Sequence, residues 1–149
     1  MNKIGKYKKI LNTEKYNELS KAIGLVSHGV GIGSFVYLRR IFEDLVEQAH
    51  QEAIKEDLLS EEAYCRSRMD EKIGLLKEFL PDFLFKNRIL YSILSKGIHE
   101  LSEEECLKYF DAVKIGIELI LDEKLEKLNR EAKTKEVEKL ISEIHNELK

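Results

Sequence analysis

The chain has 149 residues, of which 43% are hydrophobic and 36% are charged, and its net charge is −3. These values predict one folded domain with a hydrophobic core and exclude a disordered chain. The acidic balance disfavours a protein that coats nucleic acid through charge alone, and a single Pro with eight Gly favours helices over an all-β fold.

The two cysteines, Cys65 and Cys106, are isolated and form no C-x-x-C pair. Isolated cysteines in a chain with no recognisable signal peptide predict free thiols in a reducing cytoplasm. No apolar run reaches the roughly 18–20 residues that a membrane span needs. We therefore expect a cytoplasmic protein that makes no membrane contact.

The first segment, residues 1–12, is a basic amino-terminal arm. Residues 1–21 contain six Lys and two Glu, a local excess of +4, so the remainder of the chain carries −7. Lys3, Lys6, Lys8 and Lys9 are candidates for contacts with phosphate or with an acidic partner. A solvated helix face explains the same charges and is the favoured interpretation.

Asn12 or Thr13 is expected to cap a first helix that reaches about Ser27, because apolar residues follow at helical spacing. Residues 29–34, GVGIGS, predict a loop or a sharp bend. Its first two glycines imitate a dinucleotide-binding fingerprint, but that motif needs a preceding strand and further β–α units. A glycine hinge between two helices is favoured.

Ser34 is expected to cap a second, long helix over about residues 35–57. Ser60 is expected to begin a third helix, with acidic residues in its first turn where they are favoured. Pro81 ends that helix, since proline cannot continue the hydrogen-bond ladder.

Asp82 is expected to cap a fourth helix over about residues 83–96, and this most apolar helix is predicted to lie at the centre of the bundle. Gly97 stands where a C-terminal cap is expected. Ser102 and Glu105 form a capping box, S-x-x-E, which opens a fifth helix.

The carboxy-terminal part of the chain has two apolar stripes that are out of step by five residues. The first contains Leu121, Leu125, Leu128 and Ala132, and the second contains Val137, Ile141, Ile144 and Leu148. One straight helix would place the stripes on different faces. A break near Lys133–Thr134 is therefore predicted, with residues 134–149 forming an amphipathic helix that packs on the body or on a partner chain. The alternative is one long, coiled-coil-like helix.

These elements predict an all-α helical bundle of five core helices plus a C-terminal helix, in a single domain over residues 1–149. One motif has the spacing of a metal site: Glu47-x-x-His50 occurs in di-iron helical bundles. Those sites need a second such motif and two more carboxylates, so an exposed Glu/His pair on a helix is favoured. No metal and no cofactor is predicted.

Arg39 and Arg40 form the strongest basic pair inside a helix, and they point about 100° apart. Glu43 lies at i+4 from the first and i+3 from the second, so an ion pair that neutralises either charge is favoured. In the alternative, one Arg faces a cleft and binds phosphate through its planar guanidinium. Arg39, Arg40 and Glu43 are therefore candidate binding residues.

His99 lies in a predicted junction between helices, within residues 95–110, SKGIHELSEEECLKYF. A neutral His and an Arg suffice for metal-independent RNA cleavage, with His accepting the 2′-hydroxyl proton and Arg stabilising phosphate charge. Arg88 is the candidate Arg, although about 16 Å of helix separates the two positions unless the chain bends or a dimer joins them. The favoured alternative has His99 bonding a helix terminus or Glu100, and Glu100 is a further candidate binding residue.

Three segments, in order, are YLRRIFEDLVE, KIGLLKEFLP and LYSILSKGIHELSEEE. This order, over about residues 35–121, resembles bacterial HEPN-like helical domains, including relatives found near defence genes. The resemblance implies an all-α bundle that commonly dimerises. In active members an Arg followed four to six residues later by a His forms a metal-independent ribonuclease site, and this spacing is absent here. Other members are non-catalytic binding or assembly modules.

We therefore predict a non-catalytic HEPN-like interaction or assembly module, a homodimer or bound to a partner protein, in a bacterial defence or toxin–antitoxin context. One alternative is an atypical metal-independent ribonuclease that uses His99 with an Arg. A second alternative is RNA or nucleotide binding without cleavage through the amino-terminal lysines.

Overall fold

The computed structural model of the protein describes residues 3–149, and in that range it contains helices and no strand, which confirms the all-α class. The seven α-helices of this range are α1 (Thr13–Ser27), α2 (Ile32–Lys55), α3 (Glu61–Arg66), α4 (Met69–Leu75), α5 (Asp82–Lys86), α6 (Ile89–His99) and α7 (Glu103–Glu147), with 3-10 turns at Gly5–Lys9 and Lys77–Phe79. None of these helices is both long and apolar enough to cross a membrane.

Three helices begin at caps that the sequence predicted. The Asn12 side chain accepts the backbone N–H of Lys15 at 2.8 Å to open α1. Ser60 caps α3, and Ser102 with Glu105 forms a reciprocal capping box at the start of α7. Each cap joins residues three apart, so its partner is visible in the local sequence.

The helix at the centre of the bundle is α2, which contacts α1, α6 and α7. Its fully buried side chains include Phe35, Leu38, Ile41 and Phe42. The prediction that the helix following Pro81 is central was wrong. The reason is geometric: α2 buries an apolar stripe along nearly its whole length, whereas the later segment is too short and too exposed on one side.

That later segment is two helices, α5 and α6, separated at Asn87. The Asn87 amide donates to the carbonyl of Phe83 at 3.1 Å, which satisfies a terminal acceptor of α5. The break lets Leu84 and Leu94 both reach full burial, while Ile89 remains 70% exposed. The prediction of a single helix over residues 83–96 was therefore wrong.

The predicted third helix is also two helices, α3 and α4, because the chain is extended at Ser67. The Ser67 hydroxyl donates back to the Ala63 carbonyl at 2.8 Å and closes α3. The new direction of the chain allows Tyr64 from α3 and Ile73 from α4 both to enter the core.

Two helices begin where a distant carboxylate accepts their backbone N–H groups. The Glu103 carboxylate of α7 accepts the N–H of Gly31 and, at 3.0 Å, that of Ile32, so α2 begins before Ser34. The Ser34 hydroxyl instead donates to the Ala22 carbonyl of α1 at 2.8 Å, inside the core. The prediction that Ser34 caps α2 was wrong because a residue about 70 positions away does so.

The second distant cap lies at α5. The Glu123 carboxylate of α7 accepts the N–H of Asp82 and, at 3.0 Å, that of Phe83. Asp82 is consequently the first residue of α5 rather than its cap, and its own carboxylate pairs with Lys86 at 2.9 Å. The carboxylates of α7 therefore fix where two other helices begin, and their negative charge also suits helix N-termini.

Gly97 lies inside α6 and is buried, so its predicted role as a C-terminal cap was wrong. The Phe35 ring of α2 occupies the space that a Cβ at position 97 would need. The glycine therefore serves the packing of α6 on α2. Cys106 also lies at this contact, with its thiol donating to the Gly97 carbonyl at 3.3 Å.

The basic amino-terminal segment is docked on the body from Ile4 onward, where Ile4, Tyr7 and Leu11 are buried. The Tyr7 hydroxyl donates to Asp122 of α7 at 2.6 Å, and burial together with this carboxylate raises the Tyr7 pKa. Lys6 pairs with the same Asp122 at 3.2 Å. Positions 1 and 2 of the predicted arm lie outside the described residues.

The last helix, α7, runs without interruption from Glu103 to Glu147, so the predicted break at Lys133–Thr134 was wrong. Residues 117–149 contain no Gly or Pro and are rich in strong helix formers, so local energetics favour continuity. Every residue from Glu126 onward is exposed. The exposed helical part, residues 126–147, is about 33 Å long.

Candidate functional site

Arg39 is neutralised inside a small cluster between α2 and α6. Its Nε lies 3.7 Å from the Glu43 carboxylate, which confirms the predicted i,i+4 ion pair. Arg39 also donates to the Tyr91 hydroxyl at 3.2 Å, and Tyr91 donates to Glu43 at 3.0 Å. All three side chains are thus engaged with one another, and the cluster fastens α6 to α2.

Arg40 points away from that cluster toward α1, as the 100° offset predicts. Its Nη1 lies 3.9 Å from Glu18, and its guanidinium lies 5.5 Å from the centre of the Tyr37 ring. Glu18 is 7% exposed and also pairs with Lys15 at 3.5 Å. Arg40 remains about half exposed in an open groove between α1, α2 and α4, which is lined by more acidic than basic side chains.

Arg88 and His99 lie at opposite ends of α6. Arg88 directly precedes the helix, donates to the Asp70 carbonyl at 2.9 Å and stacks 4.9 Å from the centre of the Phe85 ring. His99 is the last residue of the same helix and is exposed, with Glu100 following it. The helix is continuous between them, so about 16 Å along its axis separates the two candidates within one chain.

His50 is a buried residue, and the prediction of an exposed Glu/His pair was wrong. Its Nδ1 lies 3.1 Å from Glu47 and its Nε2 lies 2.7 Å from Glu61 of α3. The imidazole ring stacks on Tyr64, with 3.8 Å between ring centres. The sequence reveals the Glu47 contact through i,i+3 spacing, but it does not reveal that α3 folds over the ring.

The pKa shifts in the cluster around His50 follow from burial and from contacts between α2 and α3, which indicates a structural role. Burial and then the charges of Glu47 and Glu61 raise the pKa of Tyr64 to about 12. Burial acts to raise the pKa of Glu47, but hydrogen bonds from Gln51 and His50 outweigh it and hold that pKa below its ordinary value. Both ring nitrogens of His50 are engaged with carboxylates, so neither is open to a substrate. The cluster fastens α3 to α2.

The cysteines and the acidic groups form no reactive centre in the described part of the chain. Cys106 is fully buried, and burial together with Glu103 and Glu105 raises the pKa of its thiol, which opposes nucleophilic use. Cys65 is exposed and unpaired with Cys106. Between residues 3 and 149, no three His, Cys, Asp or Glu side chains converge as metal ligands.

The most distinctive surface is on α7. We call the exposed apolar residues near its end the distal stripe, which consists of Val137, Leu140, Ile141, Ile144 and Leu148. A second group on the outer side of the same helix, the proximal patch, consists of Ala112, Ile115 and Leu119. The stripe residues are between 45% and 80% exposed, so nothing in the described chain covers them.

The two stripes that the sequence contains lie on opposite sides of the straight helix. Leu121 is fully buried, and Leu128 extends that side along a groove formed with Leu45, Phe79 and Leu80. The distal stripe lies on the side of α7 opposite this groove. It is aligned with the proximal patch, because Val137 follows Leu119 by 18 positions, which is about five turns.

The chain matches no family model, and no curated protein or solved structure is detectably similar to it.

Proposed function

We propose that this chain is a non-catalytic interaction module of the HEPN-like type and that the distal stripe of α7 is its docking element. Five apolar side chains at helical spacing on a helix that leaves the body are the observation that supports this function. Single exposed apolar residues are ordinary, but a contiguous exposed apolar face marks an interaction site.

The non-catalytic part of the proposal is supported by what the candidate catalytic groups contact. Arg39 is paired with Glu43, and Arg88 is occupied by a backbone carbonyl and a Phe ring. His99 lies about three helical turns from Arg88, and Arg39 lies on a different helix. A general base and a phosphate-stabilising cation must lie within hydrogen-bond reach of one substrate, and these groups do not meet that condition in one chain.

Incubation of the purified chain with single-stranded RNA in the presence of EDTA is expected to produce no cleavage above the buffer control. The measurement is gel or mass-spectrometric analysis of the RNA, with the His99→Ala variant run in parallel. Metal-free cleavage by the wild type that disappears in His99→Ala would overturn the non-catalytic assignment and favour the atypical ribonuclease.

Replacing Ile141 and Ile144 together by Glu is expected to abolish docking while leaving the body folded, because both residues lie beyond the last contact of α7 with the core. Amine-reactive crosslinking in cells that express the chain should join Lys133, Lys135 or Lys139 of the wild type to another polypeptide. Those crosslinks should fall at least tenfold in the double variant.

The matched control is Glu138→Lys with Lys139→Glu, which alters two exposed charges near the stripe and keeps the net charge and the apolar residues. It should retain the crosslinks of Lys133 and Lys135, which it leaves unchanged, and all variants should keep the wild-type helix content by circular dichroism. Crosslinks that are equally strong in the Glu double variant would show that the stripe is not the docking element.

A further inference from the structure

We propose that the partner of the distal stripe is a second copy of this chain, paired antiparallel along α7. This inference rests on the proposed function and names the partner of the same surface. The stripe of one copy would lie on the proximal patch of the other, and both ends of the interface would be related by a two-fold axis.

The proximal patch and the distal stripe form one continuous face. Ile144 follows Ile115 by 29 positions, or about eight turns, just as Val137 follows Leu119 by about five turns. Ile117 and Ile120, which alternate with the patch residues along the helix, are fully buried against the body. The body therefore occupies one side of α7 and leaves the opposite side free, except at its edges near Asp122 and Glu123, which bond to the amino-terminal segment and to α5.

This free face is apolar at both ends and charged in its middle. Ile115, Val137 and Leu148 recur at intervals that are multiples of 11, and Glu126 occupies the remaining position of this repeat. Glu126, Arg130 and Lys133 lie between the two apolar parts. An 11-residue repeat keeps a face aligned on a nearly straight helix, so two copies can pair without the left-handed supercoil that a heptad requires.

The charges select the antiparallel direction. In a parallel pair, Glu126 faces the partner's Glu126 and Arg130 faces the partner's Arg130, and like charges repel. In an antiparallel pair, one register places Glu126 opposite the partner's Arg130. The same register places Leu119 opposite the partner's Val137 and Ile115 opposite the partner's Ile141.

Neighbouring registers lose this match. Sliding one helix by one turn in one direction places Glu126 against its own copy, and sliding it in the other direction places Arg130 against its own copy. Sliding it by three residues pairs Glu126 with the partner's Lys133 but places Val137 opposite the partner's Asp122, which is bonded to Tyr7 and Lys6. The first register therefore keeps more apolar layers together with opposite charges in the middle. Charge and apolar matching would set the register jointly, and the apolar ends would supply most of the affinity.

The available area is adequate for a specific dimer. The overlap runs from about residue 108 to residue 148, which is about 60 Å of helix. A helix face about 10 Å wide then gives a footprint of roughly 600 Å² for each copy and roughly 1,200 Å² in total, at the lower end of stable interfaces. A reversible dimer, rather than an obligate one, follows from this size.

Paired cysteines test the register directly. In a Cys65→Ser background, which removes the exposed native thiol, the double variant Ile115→Cys/Ile141→Cys should form a covalent dimer on mild oxidation. Neither single variant should form a covalent dimer, because in the antiparallel pair each cysteine lies far along the helix axis from the same cysteine of the second copy. Non-reducing electrophoresis with and without dithiothreitol reads the result, and light scattering of the unmodified chain should give a dimer mass that falls on dilution.

Charge exchange is a second measurement that needs no new thiols. Glu126→Arg and Arg130→Glu should each weaken dimerisation about tenfold, and the two together should restore it, because opposite charges again face each other. Both positions are exposed on the free helix, so the fold should be unaffected.

Each contrary result has a distinct meaning. Crosslinking of both single cysteine variants would indicate a parallel pair, and a dimer without crosslinking of the double variant would indicate another interface. Either result overturns the inference. A chain that stays monomeric at all concentrations also overturns it, and stripe-dependent crosslinks to a different protein in cells would then leave the proposed function standing.

Discussion

Replacing Leu94 by Ala is expected to lower the free energy of unfolding by about 2–5 kcal/mol. Leu94 is fully buried on the face of α6 that packs on α2, so the truncation removes apolar contacts and leaves a cavity in a close-packed region. Urea denaturation followed by circular dichroism at 222 nm measures the change, which is a large fraction of the stability of an ordinary domain.

The control for Leu94 is on the same helix. Ile89 is 70% exposed, so Ile89→Ala should change the free energy of unfolding by less than about 1 kcal/mol. Similar losses for both variants would mean that α6 does not pack in the observed orientation, because the helix propensities of Leu and Ile differ only slightly.

Replacing Gly97 by Ala is expected to destabilise the protein by about 1–3 kcal/mol, although Ala is the better helix former. The added Cβ would overlap the Phe35 ring, so α6 must move away from α2 or the ring must leave its position. The same denaturation experiment measures this loss, which should be a shift in the unfolding midpoint at constant slope.

Gly24 provides the opposite case within a helix. It lies in α1, and a Cβ added at this position would meet no atom of another element within 4 Å. Gly24→Ala should therefore stabilise the protein by up to about 1 kcal/mol through helix propensity. If Gly97→Ala proves equally stabilising, the close approach of α6 and α2 at Phe35 is absent in solution.

The candidate site residues show the difference between local and distant information. The Arg39–Glu43 pair was predictable because both residues lie on one helix and four positions apart. The burial of His50 was not, because the ring is covered by Tyr64 and Glu61 from a helix that begins after a turn. The Glu47-x-x-His50 spacing was the signal that could have directed attention to this position.

The path of α7 illustrates a different limit. Two apolar stripes on opposite faces can be reconciled with burial either by a break in the helix or by a partner on each face, and both leave the same pattern in the sequence. The structure retains the continuous helix, with Leu121 facing the core and Ile141 facing outward. The continuous helix keeps its backbone hydrogen bonds through a run of strong helix formers, and a break at Lys133–Thr134 would interrupt them.

The sequence by itself determined the all-α class, the start of α1 at Asn12 or Thr13, the start of α3 at Ser60 and the capping box at Ser102. These features depend on interactions between residues three or four positions apart, so composition and spacing are sufficient to predict them. The tertiary structure alone decided that α2 is central, that Glu103 and Glu123 cap other helices, that Gly97 is a packing residue and that the distal stripe faces outward. These features depend on which distant surfaces meet, and that is set by the summed burial of the whole core rather than by any local pattern.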